Sequence, residues 1–570
     1  MHKIISFFVL SVYVIMNSGD DQNIKENLMS IYVNQVGYQP NAVKRVTANF
    51  PCNYQVIDCS TQKSVYDGVS VKGGYDESAE EDTYIIDFSE VTTPGKYYIL
   101  AGNGEKSCSF DINIRVYQQL QHDLMKALYY QRCGCELKEE HAGIYTHKCC
   151  HSKPVILFED FVNKVENPTT YEMNGGWHDA GDFGRYIDPA GVAIAHLMYA
   201  YMLFPDSFQK TMNIPESGNG IPDILNECRY ELEWMLKMQA PDGGVYHKLT
   251  SHNHPEFVMP EEDNLPFYIF PVSSMATADF AASTAVASRI YAEFDADFAD
   301  KLLSAAIKAY DYLESTPDVG FQNPEGVNTG EYGIKDNTGN RLWAAAELLV
   351  ADSSNRDFYK EKLLHYTATS VEKTDFGWED VSGLATLCLL TDPQRTCDDE
   401  LYSLYEKILF ECADSYIGLQ KESGFELSMT SKDFIWGSNM VVGNRGMLLA
   451  LASILADGNE TYANAAANQL HYLLGRNAMN VSYVTGEGEN AFRNPHNRVT
   501  ACDGIEDPMP GWVSGGPCHP PLDPDGRKVV PEGAAPQKCY ADVVGSYSTN
   551  EITIYWNSPF IFLTAFLNQE

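Results

Sequence analysis

Residues 277–294, TADFAASTAVASRIYAEF, decide the fold of the larger part of this chain. Their apolar side chains recur at spacings of three and four, a pattern that predicts a helix. Alanine recurs along the segment, and small side chains let neighbouring helices approach closely. The stretch therefore predicts a helix that packs tightly against other helices.

The same spacing recurs in about twelve segments after Val116, joined by loops that are sometimes long. Twelve helices in one domain predict an (α/α)6 barrel, a ring of six helical hairpins, or alternatively an α-solenoid. No fixed-period repeat is visible in the sequence, which disfavours the solenoid. The loops are rich in Gly, Pro, aromatic residues and carboxylates, and long loops of this kind are usually functional.

A different pattern precedes the helices. Short runs rich in β-branched and aromatic residues, such as IYVNQV (31–36) and KYYILAG (96–102), are separated by turn signals such as Pro94-Gly95. About seven short strands over residues 28–114 predict an immunoglobulin-like β-sandwich. The chain is therefore predicted to be mainly α, with this small domain followed by a helical domain over residues 115–570.

The N-terminus has a short basic start, an apolar run and then small polar residues. This pattern predicts a signal peptide over residues 1–19 and a secreted, extracellular protein. A single N-terminal membrane anchor is the alternative. No later stretch is apolar enough to span a bilayer, so no membrane partner is expected.

The formal net charge of −38 and a pI near 4.6 describe a strongly acidic chain. Such a chain repels polyanions, so nucleic acid and anionic membrane surfaces are not expected as partners. An uncharged polysaccharide is compatible with this charge. The sequence carries no signal of oligomeric state.

The segment GGWHDAGDFGRY, residues 175–186, places Asp179 and Asp182 three residues apart beside several glycines. Glycines let the backbone turn tightly and approach a ligand. Two carboxylates at this spacing can hold and deprotonate one water molecule. A turn or capping motif is the alternative, because Asp and Gly also favour turns.

Two later loops add polar and aromatic groups. NPHNRVTACDG, residues 494–504, offers His496 and Arg498 as hydrogen-bond donors, and Trp512 beyond it offers a stacking face. An ordinary surface loop is the alternative for this segment.

The segment YADVVGSYSTNEITIYWNSP, residues 540–559, carries Asp542 and Glu551. A Glu in an aromatic segment that leads into a buried helix is expected to have a raised pKa. Helix N-capping near Asn550 and Glu551 is the alternative. Together the loops supply one protonated acid and one ionised base, which glycoside hydrolysis requires.

These motifs, in this order, resemble glycoside hydrolase family 9, the family of many endoglucanases, in its subgroup with an N-terminal immunoglobulin-like domain. The resemblance covers nearly everything after the signal peptide. It rests on IYVNQVGYQP, GGWHDAGDFG, PESGNGIPDILNECRYELEWMLKMQ, DGGVYHKLT, TADFAASTAVASRIY, FGWEDVSG, WGSN, LLGRNAMNVSYVTGEG, PHNR, PMPGWVSGGP and NEITIYWNSP.

The resemblance implies an (α/α)6 barrel with an open cleft and an inverting mechanism on β-1,4-glucan. It implies that Asp182 is the base, that Asp179 helps to hold the water and that Glu551 is the general acid. The remaining expected site residues act near the cleaved bond or contact substrate: His496, Asp542, Arg498, Trp378, Trp436, Trp512 and Tyr547. PHNR departs from the family's usual PHHR, and Asn497 cannot carry charge there.

The resemblance also implies a structural zinc ion held by Cys133, Cys150, His151 and His178. Two thiolates and two imidazoles complete a closed tetrahedral site, which would fix the catalytic loop rather than react. A disulfide within the cysteine cluster is the competing interpretation, and Cys135 and Cys149 are spare and free to pair.

A calcium site is expected in the family's TGEYGD…DE stretch, which here reads TGEYGIKDNTGNRLW, residues 329–343. Ile334 stands where Asp is expected, and Gly339-Asn340 replaces Asp-Glu. The lost carboxylates put calcium binding in doubt.

We expect an endo-acting β-1,4-glucanase. Exo-acting alternatives on the same fold are a cellodextrinase, a cellobiohydrolase and a glucosaminidase, which differ by loops that block one end of the cleft. Residues 503–537 and 252–266 are candidates for such a wall. A non-catalytic glycan-binding protein is disfavoured, because binding alone does not require Asp179, Asp182 and Glu551 together. A zinc hydrolase is disfavoured, because four ligands leave no open metal position.

Overall fold

The computed structural model describes residues 29–369, 374 and 376–569. The predicted signal peptide, residues 1–19, lies outside these described residues.

Two packed sheets form the N-terminal domain. In its described part the strands are β1 (Ile31–Tyr32), β2 (Gly37–Tyr38), β3 (Arg45–Ala48), β4 (Asn53–Asp58), β5 (Lys63–Val69), β6 (Val71–Asp76), β7 (Glu81–Asp87), β8 (Gly95–Ala101) and β9 (Phe110–Ile112). The strand orders are β1-β3-β7-β6 and β2-β9-β8-β4-β5, and only the β2–β9 pair is parallel. Val56, Ile86 and Ile99 are fully buried in the domain core. The predicted β-sandwich is confirmed.

The run IYVNQV differs from the prediction, because it is not one strand. Asn34 interrupts it by accepting hydrogen bonds from the backbone N–H groups of Val36 and Gly37, at 2.9 and 3.0 Å. A side chain that satisfies nearby backbone donors competes with strand pairing. β1 and β2 therefore lie in different sheets, one on each side of the turn.

The helical domain is an (α/α)6 barrel, as predicted. Its described helices are α1 (Gln118–Tyr130), α2 (Glu139–Ala142), α3 (Phe158–Val162), α4 (Ile187–Leu203), α5 (Asp223–Lys237), α6 (Ser274–Tyr291), α7 (Ala296–Ser315), α8 (Thr338–Ala351), α9 (Arg356–Thr369), α10 (Ser382–Thr391), α11 (Asp399–Glu422), α12 (Ser438–Leu455), α13 (Glu460–Leu473), α14 (Arg498–Cys502), α15 (Pro524–Val529), α16 (Tyr547–Asn550) and α17 (Ile554–Leu567).

Six of these helices form the inner ring, namely α4, α6, α8, α10, α12 and α17, and most of their residues are buried. Each packs against one outer helix: α5, α7, α9, α11, α13 or α1 respectively. A helix that is apolar on most faces is stable only when other elements surround it. This explains α12, which by length and composition could cross a membrane but has 72% of its residues buried within the protein.

A small four-stranded sheet lies among the loops of the barrel. It consists of β10 (Ile156–Leu157), β11 (Arg185–Tyr186), β12 (Lys248–Thr250) and β13 (Tyr268–Ile269), in the order β10-β13-β12-β11. β11 is the end of the predicted catalytic segment, so this sheet fixes that segment to the loops that follow α5.

The β-sandwich packs directly against the barrel through polar contacts. Asp76 accepts hydrogen bonds from the Gly424 N–H and the Ser423 hydroxyl, both at 2.9 Å. Glu426 lies between Arg45 and Arg476, at 2.5 and 2.7 Å. These contacts attach the small domain to the segments that follow α11 and α13.

Candidate active site

The segment that carries Asp179 and Asp182 is a closed turn between α3 and α4. The Asp179 N–H donates to the Gly184 carbonyl at 2.9 Å, and the Asp179 carbonyl accepts from the Ile554 N–H at 2.9 Å. The turn is thus bonded to the first residue of α17, which follows Glu551 by three positions. The N-cap of α4 is Tyr186, so neither aspartate caps that helix.

Gly181 allows this turn to fit against the loop that carries His496. A Cβ atom at position 181 would lie 1.9 Å from the His496 carbonyl oxygen, closer than any side chain permits. The Gly181 carbonyl also accepts from the Arg498 backbone N–H at 3.1 Å and from Arg498 Nη1 at 2.8 Å. The turn and the PHNR loop are therefore interlocked.

Glu551 directly follows α16 and is held by backbone pairing. Its carbonyl accepts from the Gly515 N–H at 2.8 Å, and the His496 N–H donates to the Asn550 carbonyl at 2.8 Å. The N-cap of α17 is Thr553, so the capping alternative for Glu551 is wrong.

Asp542 connects the loop that carries His496 to the residue before Glu551. Its carboxylate accepts from the backbone N–H groups of Arg493 and Asn494, both at 2.8 Å, and from Asn550 Nδ2 at 3.0 Å. These bonds fix the PHNR loop and the residue before Glu551 to each other. Asp542 therefore contacts the residue before Glu551 and positions the two loops.

The three carboxyl groups differ in ionisation. Burial raises the pKa of Glu551 well above its usual range, and the charges of Asp182 and Asp179 raise it further. Burial also raises the pKa of Asp179 well above its usual range, against the hydrogen bond from Tyr332. At Asp182 burial acts the same way, but the hydrogen bond and charge of His254 and the charge of Arg498 outweigh it and lower the pKa below the usual range. Asp182 is therefore the anionic member of the set.

Two residues that contact the aspartates were missed from the sequence. Tyr332 donates its hydroxyl to Asp179 Oδ2 at 2.7 Å, and His254 Nδ1 lies 3.1 Å from Asp182 Oδ2. Tyr332 belongs to the segment interpreted as an altered calcium site, and His254 to a candidate cleft wall. The aromatic and imidazole residues were visible there, but nothing in one sequence indicated that these loops reach the aspartates.

Arg498 and His496 are both inward-facing. Arg498 donates Nε to the Pro255 carbonyl at 2.9 Å and Nη1 to the Gly181 carbonyl. It therefore joins the turn of residues 175–186, called here the catalytic turn, to the loop that carries His254. His496 donates through Nδ1 to the Val544 carbonyl at 2.6 Å. Direct contact of these side chains with sugar stays a prediction.

Asn497 makes no contribution to the cleft surface. It is buried, and its side-chain oxygen accepts from the Thr500 N–H at 2.9 Å, which caps α14. The Asn that stands in PHNR where the family usually has His therefore serves as the N-cap of α14.

The predicted substrate-binding aromatic residues divide into two groups. Trp436 is 44% exposed, with its ring centroid 5.4 Å from that of Tyr547. Burial raises the pKa of Glu551, and a hydrogen bond from the Trp436 indole acts against that rise. Trp378 is partly exposed and lies 5.1 Å from the Tyr332 ring. The prediction for Trp512 is wrong, because its ring is 0% exposed within the barrel core and has no face for a sugar.

Cys133, Cys150, His151 and His178 converge on one point. One ligand atom from each lies within 4.8 Å of all the others, with Cys133 Sγ 3.8 Å from His151 Nδ1 and Cys150 Sγ 3.9 Å from His178 Nε2. All fourteen cysteines are free thiols, so the disulfide alternative has no counterpart in the structure. In the described part of the chain this is the only group of three or more His, Cys, Asp or Glu side chains close enough to share an ion.

The donor set fits a tetrahedral metal ion. Asp263 Oδ2 lies 3.3 Å from His151 Nε2, on the side of the ring that faces away from the cluster. Such an outer carboxylate orients an imidazole ligand and increases its basicity. His178 adjoins Asp179 in sequence, so an ion bound here would fix one end of the catalytic turn.

The expected calcium segment carries no comparable set among its described residues. Asn340, at one of the altered positions, donates to Asp279 Oδ1 at 2.7 Å and is buried. The Gly330 carbonyl accepts from the Lys248 ammonium group at 2.6 Å. These polar groups of the segment thus have protein partners.

An (α/α)6 barrel that brings an ionised carboxyl group, Asp182, together with carboxyl groups of raised pKa at interlocked loops has the acid and base groups that a glycoside hydrolase requires. Residues 117–564 match the model of glycosyl hydrolase family 9, and residues 27–106 match that of the cellulase N-terminal ig-like domain. The chain belongs to glycosyl hydrolase family 9 and is an enzyme that hydrolyses β-1,4-glucans.

Three known proteins are similar over nearly their whole length. The cellodextrinase of Butyrivibrio fibrisolvens is 42% identical, with 94% of this chain and 99% of that protein covered. A single mutant of a thermostable endoglucanase from Alicyclobacillus acidocaldarius has a TM-score of 0.88 at 31% identity, covering 95% of this chain and 100% of that one. A Zn-binding triple mutant of the family 9 endoglucanase J30 has a TM-score of 0.86 at 31% identity, covering 93% of this chain and 99% of that one.

Proposed function

We propose that the enzyme cleaves β-1,4-glucosidic bonds with inversion, using Asp182 as base and Glu551 as acid. The observation that carries this proposal is the opposite displacement of two pKa values on neighbouring loops, lowered at Asp182 and raised at Glu551. An inverting hydrolase needs this pair, because one group must accept a proton while the other donates one.

The reaction uses the two groups on opposite faces of the sugar ring. Asp182 takes a proton from a water molecule as the oxygen of that water forms a bond to the anomeric carbon. Glu551 gives its proton to the glycosidic oxygen as the bond from that oxygen to the anomeric carbon breaks. Asp179 and Tyr332 hold the water beside Asp182. Exchange with solvent then returns both carboxyl groups to their starting states.

Glu551→Gln tests the assignment. General acid catalysis contributes about 10²- to 10⁴-fold, so turnover of cellotetraose is expected to fall by that order. An aryl β-cellobioside with an acidic phenol is expected to lose much less, because its leaving group needs no proton.

Asp182→Asn is the matched control, because loss of the base affects water attack on both substrates alike. It is expected to abolish turnover of both, with rescue by azide. Near-normal cellotetraose turnover in Glu551→Gln, or a β-anomer as first product in NMR, contradicts the proposal.

We further propose endo action on soluble β-1,4-glucan. The whole-chain likeness to the Alicyclobacillus endoglucanase supports it. A cellodextrinase is the second candidate, favoured by the 42% identity to the Butyrivibrio enzyme. Viscosity of carboxymethylcellulose, followed together with reducing ends, distinguishes the two. A rapid fall in viscosity per bond cleaved indicates endo action, and cellobiose or glucose release with little viscosity change indicates the cellodextrinase.

We also propose that the four-ligand cluster binds zinc and that the protein is secreted. Two thiols and two imidazoles are the ligands that structural zinc prefers, and no open position remains for chemistry. The Zn-binding variant of endoglucanase J30 supports zinc on this fold. Secretion rests on the signal-peptide pattern of residues 1–19, and N-terminal sequencing of protein exported to the medium tests it.

A further inference from the structure

Lys248 is a fully buried lysine at the start of β12 whose ammonium group is held by neutral oxygen atoms. It donates to the Gly330 carbonyl at 2.6 Å, to Asn323 Oδ1 at 2.6 Å and to Thr329 Oγ1 at 3.2 Å, with the Thr329 carbonyl at 3.5 Å. Burial lowers the pKa of this ammonium group to about 7, against the charges of Asp182 and Glu331. A buried charge is costly unless hydrogen bonds satisfy it, so this arrangement fixes the acceptors firmly.

His247 extends the same contact by one residue. Its Nε2–H donates to the Glu331 carbonyl at 2.8 Å, and its Nδ1 accepts from the Ser273 hydroxyl at 2.9 Å. Its ring is stacked on Phe321, with centroids 3.8 Å apart. Burial lowers the pKa of His247 to about 3, which keeps the imidazole neutral. His247 and Lys248 together hold the carbonyls of residues 329, 330 and 331.

Tyr332 is the next residue after these held carbonyls. Its φ of +46° lies in the left-handed region, which is strained for a non-glycine residue and persists only where surrounding contacts impose it. This backbone conformation accompanies the 2.7 Å hydrogen bond from the Tyr332 hydroxyl to Asp179. Lys248 is also paired with Tyr186 across β11 and β12, so the same residue is tied to the end of the catalytic turn.

We propose that His247 and Lys248 are positioning residues for hydrolysis: they clamp the segment 329–331 so that Tyr332 holds Asp179 beside the base. The inference rests on the proposed function, since hydrolysis is its readout. Neither side chain touches the reacting atoms. The clamp acts through Tyr332, and removing it uncouples Tyr332 from Asp179.

Lys248→Met tests the clamp, because methionine keeps an unbranched apolar stem and removes the donors. A displacement of about 1 Å at a catalytic group costs on the order of 10²-fold. We therefore expect kcat on cellotetraose to fall on the order of 10- to 100-fold, with KM nearly unchanged.

Lys126→Met is the matched control. Lys126 is also buried, and its ammonium group also donates to two carbonyls, those of Met212 and Asn213 at 3.2 and 2.8 Å. It lies on α1, away from the segment 329–331. Its replacement is expected to lower thermal stability while leaving kcat unchanged.

A double-mutant cycle with Tyr332→Phe separates positioning from general destabilisation. If Lys248 acts through Tyr332, the double variant is no slower than the slower single variant. If the two losses multiply, or if kcat of Lys248→Met equals that of Lys126→Met, the proposal is overturned. Wild-type protein without activity on any β-glucan would instead contradict the proposed function.

His247→Phe provides the same test should Lys248→Met fail to fold. The phenyl ring keeps the stacking on Phe321 and removes the donor to Glu331. We expect reduced kcat, unchanged KM and no further loss on adding Tyr332→Phe. Multiplicative losses in this cycle overturn the proposal equally.

Discussion

Replacing His254 with alanine is expected to move the acidic limb of the pH–rate profile to higher pH. His254 Nδ1 lies 3.1 Å from Asp182 Oδ2 and favours the ionised carboxylate. The base must be ionised to accept a proton from water. Activity is therefore present above the pKa of Asp182 and lost as the pH falls through it, and a variant with a higher pKa loses activity sooner.

The size of this shift follows from the exposure of the contact. A hydrogen bond to a charged group contributes about 1.5–3 kcal/mol when it is buried. The His254 side chain is 42% exposed, so solvent screening reduces this contribution to about 1 kcal/mol. At about 1.4 kcal/mol for each pH unit, the limb is expected to move upward by about 0.7 unit.

The assay is kcat/KM on cellotetraose across the acidic range, where this parameter reports the ionisation of the free enzyme. His252→Ala is the control, because His252 lies on the same loop but packs against Phe158, Phe161 and Tyr268. It is expected to leave the limb in place. An unmoved limb in His254→Ala, or one moved to lower pH, refutes the reasoning.

Two further predictions concern the catalytic turn. Gly181→Ala is expected to abolish hydrolysis without unfolding the barrel, since the new Cβ would lie 1.9 Å from the His496 carbonyl and push the two loops apart; full activity with an unchanged circular dichroism spectrum would contradict it. Prolonged dialysis against a strong chelator is expected to lower both the melting temperature and activity, with recovery on adding Zn²⁺, because the ion would bind His178 next to Asp179. Brief chelator treatment is expected to leave the initial rate unchanged, and its immediate loss would indicate a catalytic rather than a structural ion.

The barrel could be predicted from the sequence because its inner helices carry an unbroken helical pattern. Most of the segment 277–294 lies in α6, which spans Ser274–Tyr291 and is buried along nearly its whole length. The metal cluster was also predicted, but only through resemblance, because Cys133 and His178 are separated along the chain and meet only in the fold. The spacing of the cysteines in the sequence did not distinguish a metal site from a disulfide.

Contacts between loops could not be predicted in the same way. Trp512 and Trp436 both occur in loops beside glycine, yet one ring is fully buried and the other is 44% exposed. Local sequence does not distinguish them, since the difference depends on which helices pack above each ring. Tyr332 was missed for the same reason, because its partner Asp179 is more than a hundred residues away along the chain.

Burial alone does not assign the roles of the three carboxyl groups, because it raises the pKa of each. The charged and hydrogen-bonding neighbours of each carboxyl group decide whether it is ionised. Asp182 faces the imidazole of His254 and the positive charge of Arg498, which favour the anion. Asp179 receives a hydrogen bond from the neutral Tyr332 hydroxyl, and Glu551 faces the negative charge of Asp182. Burial outweighs the Tyr332 hydroxyl at Asp179 and the charge of Arg498 at Glu551, so a proton removed from either carboxyl group would create a second buried negative charge. The proposed division between base and acid follows from the contacts of Asp182 with His254 and Arg498, so changing those contacts should alter the roles more than changing the depth of burial.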